Sequence, residues 1–187
     1  HNNLLYAAEN KAVAVIDIDK GALVRRISID SAQFLNDITV DANGVVYVSD
    51  TEAGKVYTIE NDTASLYMEN LAYVNGLLSV GDTLSLLTDG KLVRADAQKN
   101  IHTITEGIEG FADGIVKVND SEFIVTGWAG MIYHVAADGT NTVLSDTREQ
   151  QVSAADPGYN PLTSTLYIPT FATNTVVAYK VLPASRD

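Results

Sequence analysis

Residues 34–59, FLNDITVDANGVVYVSDTEAGKVYTI, constrain the fold more than any other stretch. Apolar and polar side chains alternate from Ile38 to Val48, with a break at Asn43-Gly44. Period-two alternation marks a half-buried strand, and Asn-Gly between two such runs marks a hairpin. A second turn at Asp50–Lys55 and a further strand at Val56–Ile59 extend the hairpin into a meander. The meander recurs, so the fold follows from a repeat.

Five units are read along the chain. Residues 4–8, 12–18 and 23–29 form a partial unit spanning 4–30. Full units follow at 34–69, 73–107 and 111–147, and a second partial unit at 152–182. Asn36, Asn75 and Asp113 begin successive units, 39 and 38 residues apart, and Ala155 follows 42 residues later. Four short strands per roughly 40 residues is the period of a β-propeller blade. A β-sandwich would not explain the regular return of a small polar residue at each unit start.

The expected fold is therefore all-β, a β-propeller of four-stranded antiparallel blades in one domain, residues 1–187, with no helix of two turns. The first unit is expected to lack its innermost strand and the last its outermost. An open ring would expose long apolar edges, which proteins avoid. The complete ring is thus expected to hold six blades, with the N-terminal part outside these residues or a partner closing it.

Composition narrows the partners. Net charge is −12, which repels nucleic acid and anionic membranes and suits cations or neutral ligands. No apolar run approaches the length of a membrane-spanning helix. The chain has no cysteine, so disulfide and thiol chemistry are excluded.

In a propeller, the start of each inner strand lies at one mouth of the central channel. Asn36, Asn75 and Asp113 hold that position in three units. One carboxylate with two amide oxygens is a hard-oxygen set suited to Ca²⁺ or Mg²⁺, and less selectively to Mn²⁺ or Zn²⁺. The same residue types also form tight turns and bond neighbouring backbone. Asp37 and Asp156 are read as facing the turn, and Asp50 and Asp89 as turn formers. Trp128, Tyr159 and Phe171 fall near the same end of their units, where they would wall a substrate pocket or pack blade against blade. His1, His102 and His134 share no ligand spacing. Gly-x-Ser-x-Gly, phosphate-loop and His-Glu-x-x-His motifs are absent.

FLNDITVDANGVVYVSD, YVNGLLSV and FADGIVKVNDSEFIVTGWAG, in that order, resemble successive blades of the gluconolactonase family, which includes regucalcin-like proteins. The resemblance spans roughly residues 4–182. It implies a divalent-metal-dependent hydrolase of a lactone or similar small ester, in a secreted or periplasmic setting, with a cytoplasmic one left open. By resemblance, Asn75 and Asp113 would hold one divalent cation and Asn36 would contact substrate, a lactone or sugar-derived molecule. Asp113 would also accept a proton from the attacking water. The family's remaining ligand, a Glu on the first inner strand, has no match; Glu9 is read as lying in a turn. The alternative is a non-catalytic propeller of NHL-type repeats that binds a protein, peptide or glycan, since propellers host both.

Overall fold

The computed structural model describes residues 1–182. Its strands are β1 (Leu4–Glu9), β2 (Ala12–Asp17), β3 (Ala22–Ser28), β4 (Leu35–Val40), β5 (Val46–Asp50), β6 (Lys55–Glu60), β7 (Thr63–Met68), β8 (Leu77–Val80) and β9 (Thr83–Thr88). They continue as β10 (Lys91–Ala95), β11 (Ile101–Glu106), β12 (Ala112–Lys117), β13 (Phe123–Gly127), β14 (Met131–Val135), β15 (Asn141–Asp146), β16 (Gly158–Asn160), β17 (Thr165–Pro169) and β18 (Val176–Lys180). One turn of 3₁₀ helix, Phe171–Thr173, interrupts the last sheet.

The strands make five antiparallel meanders: β1–β3, β4–β7, β8–β11, β12–β15 and β16–β18. Three sheets thus have four strands and two have three, as the repeat implies. A sixth sheet, expected of a complete ring, is not among the described residues. No helix among them is long and apolar enough to cross a membrane.

The chain divides into two compact units, residues 1–103 and 104–187. In the first, β1 runs beside β4 and β4 beside β8, so the opening strand of each sheet abuts that of the next. This corrects one expectation. The first sheet has its inner strand, namely β1, and it lacks the outer one. Val13, Val15, Ile27, Leu35, Val46, Val48 and Tyr57 pack between the first two sheets. In the second unit β12 lies beside β16, and Ile124, Ile132, Leu166 and Ile168 form a buried cluster between the fourth and fifth sheets.

Turn chemistry matches the sequence. Asp41 Oδ1 accepts the N–H groups of Asn43 and Val45 at 2.8 Å, and Gly44 takes φ +88°. Asp96 repeats the device with Gln98 and Asn100 at 2.9 Å. A side chain that bonds backbone two residues on mimics a turn, and Gly supplies the left-handed step.

Candidate functional site

Two inner strands, β4 and β12, begin with an irregularity. β4 pairs Leu35 with Asp50 and then Ile38 with Val48, so Asn36 and Asp37 face one residue, Ser49. β12 pairs Ala112 with Gly127 and then Ile115 with Val125, so Asp113 and Gly114 face Thr126. A bulge bends the strand and re-aims its side chains. The hydroxyl opposite satisfies the displaced backbone. Ser49 Oγ accepts the Asp37 N–H at 2.9 Å. Thr126 Oγ1 accepts the Gly114 N–H at 3.0 Å and donates to the Ala155 carbonyl at 3.2 Å.

Counting back from the first regular pair locates equivalent residues. Asn36 stands two before Ile38, Asn75 two before Leu77 and Asp113 two before Ile115. The three residues therefore share one register position within their own sheets. In the last sheet Ala155 donates its backbone N–H to Pro169 O as Asn75 does to Leu87 O, so the equivalent residue is Ala155, where the sequence spacing places it. Asp156 stands one residue further on, as Asp37 does in the second sheet.

The first sheet departs from this pattern. β1 pairs with β2 without a bulge, and Leu4, Leu5 and Tyr6 occupy the corresponding stretch. Glu9 ends β1 and accepts Arg26 Nε through both carboxylate oxygens at 2.9 Å.

Within the first unit, the Asn36 side-chain amide donates to Thr51 Oγ1 at 3.2 Å, and Asn75 donates its backbone N–H to Leu87 O at 3.0 Å. Asp37 is not turn-facing: its Oδ2 accepts the Leu77 N–H at 2.6 Å and ties β4 to β8. Asp50 is a turn former, accepting the N–H groups of Gln33, Phe34 and Ala53.

In the second unit Asp156 stands one residue past the position equivalent to Asp113, ahead of β16. Asp113 is 7% exposed. Asp156 is exposed as a residue, yet its carboxylate leans on the β12 backbone: a Cβ at Gly114 would lie 2.6 Å from Asp156 Oδ1. Burial of that end pushes its carboxyl above the usual carboxylate range.

Two aromatic rings meet at the same end, and Phe111 lies beside them through its backbone. The Trp128 and Phe171 rings lie 4.9 Å apart at an interplanar angle of 56°. The Trp128 backbone N–H donates to Phe111 O at 2.8 Å, and the Trp128 backbone carbonyl accepts the Ala154 N–H at 3.3 Å. Trp128 is 38%, Phe171 68% and Phe111 81% exposed. Phe111 takes φ +60°, a strained conformation for a bulky residue. Thr170 fixes the turn that carries Phe171, through hydrogen bonds with Thr173 and Thr175. Tyr159 does not join this group. It pairs with Leu166 and packs near Ile124 and Ile132 in a separate cleft, because it lies inside the strand.

Among the described residues, no three His, Asp or Glu side chains converge as a metal centre would require. Two carboxylates are fewer than a dedicated Ca²⁺ cage supplies, so a cation at Asp113 would draw on amides, backbone and water.

No family model matches the chain, and no curated protein matches it. Solved structures do. It is similar to a catalytically inactive virginiamycin B lyase from Staphylococcus aureus with quinupristin, at 13% identity and TM-score 0.76, covering 97% of this chain and 64% of that one. It is also similar to a chain of the nidogen/laminin complex, at 13% identity and TM-score 0.80, covering 95% and 72%. A streptogramin B lyase matches at 9% identity and TM-score 0.69, covering 98% and 67%. The fold is a β-propeller. At these identities the likeness speaks for the fold alone, and the chain spans just under two thirds of the first of these structures.

Proposed function

We propose that this chain is a binding propeller that takes a protein or peptide partner through a basic side chain. The carrying observation is the exposed group Phe111, Trp128 and Phe171, on the segments of the second unit that flank Asp113 and Asp156. A guanidinium or ammonium over an aromatic face gains cation–π attraction, and a nearby carboxylate adds a charge-assisted hydrogen bond. The net charge of −12 would speed the approach of a basic partner. The propeller in the nidogen/laminin complex sits in an assembly of proteins, which agrees with this reading without carrying it.

Lactone hydrolysis with a divalent cation is the second reading. Buried Asp113 at the bulge favours it. Against it, no three His, Asp or Glu side chains converge among the described residues.

Trp128 is the single tryptophan of the chain, so its emission reports on the site directly. The test titrates the protein with Nα-acetyl-arginine amide, and separately with gluconolactone with and without Ca²⁺, Mn²⁺ or Zn²⁺. A saturable, salt-sensitive change with the arginine compound alone supports the binding reading. Metal-dependent lactone turnover would replace it with the hydrolase.

A further inference from the structure

The wedges between neighbouring sheets are filled differently in two places that the strand register makes equivalent. Tyr47 pairs with Thr58, one residue ahead of the Val48–Tyr57 pair; Ile124 pairs with His134, one residue ahead of Val125–Tyr133. Tyr67 is the unpaired residue between Leu66 and Met68 in the β6–β7 ladder; Leu144 is the unpaired residue between Val143 and Ser145 in the β14–β15 ladder. Tyr47 thus corresponds to Ile124, and Tyr67 to Leu144.

In the first unit the two phenol rings meet edge to face at 5.1 Å, and Lys99 Nζ caps Tyr67 at 4.5 Å from its centroid. Both rings pack on the core of Val56, Met68, Val74 and Leu86. Burial raises the pKa of each phenol above its ordinary value, which marks the wedge as poorly solvated. In the second unit, Ile124 and Leu144 put no ring in the corresponding space. A cleft of about 850 Å³ opens there, lined among others by Ile124, Ile132, Leu144, Tyr159, Leu166 and Tyr179. That size falls within the roughly 300–1,000 Å³ of small-molecule sites.

One end of the cleft is polar. His134 Nε2 lies 3.5 Å from Glu122 Oε2, and Asn119 Nδ2 also donates to Glu122. An apolar cleft with a few polar groups at one end suits a ring that carries one hydrogen-bonding substituent. We infer that the cleft between the fourth and fifth sheets is a binding site for a small phenolic or similarly substituted aromatic molecule, whose ring stands where the first unit places its own tyrosines. This site is separate from the Phe111–Trp128–Phe171 surface and does not depend on the function assigned there.

The probe is 4-methylphenol, which reproduces a tyrosine side chain, added to the full chain and followed by methyl NMR. Saturable shifts are expected at Ile124, Ile132 and Leu166, with the Trp128 indole signal unmoved. Leu144→Tyr restores one of the missing rings at an exposed position that tolerates it, and is expected to weaken binding about tenfold or more. Ile124→Tyr with Leu144→Tyr should abolish it, read only if the wild-type circular dichroism spectrum is kept. The inference is overturned if 4-methylphenol shifts no cleft methyl, or if folded Leu144→Tyr binds it as tightly as wild type does.

Discussion

The Asp37 carboxylate accepts the backbone N–H of Leu77 at 2.6 Å, across 40 residues of chain. The same carboxylate accepts the Ile38 N–H at 2.7 Å. One side chain thus closes the bulge of its own strand and holds the first residue of the next inner strand. Removing an acceptor strands partly buried donors, which costs about 1–3 kcal/mol. Asp37→Ala is therefore expected to lower the melting temperature by several degrees, since 1 kcal/mol shifts a chain of this size by about 2–4 °C. Asp37→Asn keeps one acceptor oxygen and should lose less. Equal melting temperatures for wild type and Asp37→Ala would show that the bond contributes nothing.

Thr126 plays the matching part in the second unit. It is 0% exposed and serves both the Gly114 N–H and the Ala155 carbonyl. Thr126→Val has nearly the same shape but no hydroxyl, so it leaves two buried backbone groups unserved. A loss of about 1–3 kcal/mol is expected in urea unfolding. Thr126→Ser should retain most of the stability. If Val and Ser behave alike, the hydroxyl is not what holds the bulge.

Much of this was legible in the sequence, and the misses share a cause. Alternation and Asx-Gly turns carry local information, so all five meanders could be read from residues such as Asp41 and Gly44. The side on which a partial sheet is incomplete is not local. β1 reads as an ordinary strand, and only its place beside β4 makes it the inner one. Asp37 reads as turn-facing because its partner, the Leu77 N–H, lies 40 residues away. Tyr159 looked like a mouth residue because its distance from the unit start was not measured in strand register. What separates the filled wedge from the open one, Tyr47 and Tyr67 against Ile124 and Leu144, has no signal in a single sequence.

Gly114 tests how closely β12 approaches the segment ahead of β16. A Cβ there would collide with Pro157 Cδ and come within 2.7 Å of Asp156 Cα. Backbone cannot swing aside as a side chain does, so Gly114→Ala should separate the two strands. The expected cost is about 1–3 kcal/mol. The separation should also move the Trp128 emission, because Ala154, two residues before Asp156, donates to the Trp128 carbonyl. A variant with unchanged stability and emission would mean that the strands tolerate a wider gap.

Phe111 separates binding from folding. Its ring is 81% exposed and adds little to the core, while its backbone at φ +60° is disfavoured for any residue with a Cβ. Left-handed geometry costs about 1–2 kcal/mol in such a residue, and glycine removes that cost while gaining freedom in the unfolded chain. Phe111→Gly is thus expected to be as stable as wild type or up to about 1 kcal/mol more stable. It should nevertheless weaken the arginine-dependent change in Trp128 fluorescence, because one ring of the surface is gone. Improved stability with impaired binding is the expected pattern for a residue kept for its ligand. Lower stability with intact binding would instead make Phe111 a packing residue and remove it from the site.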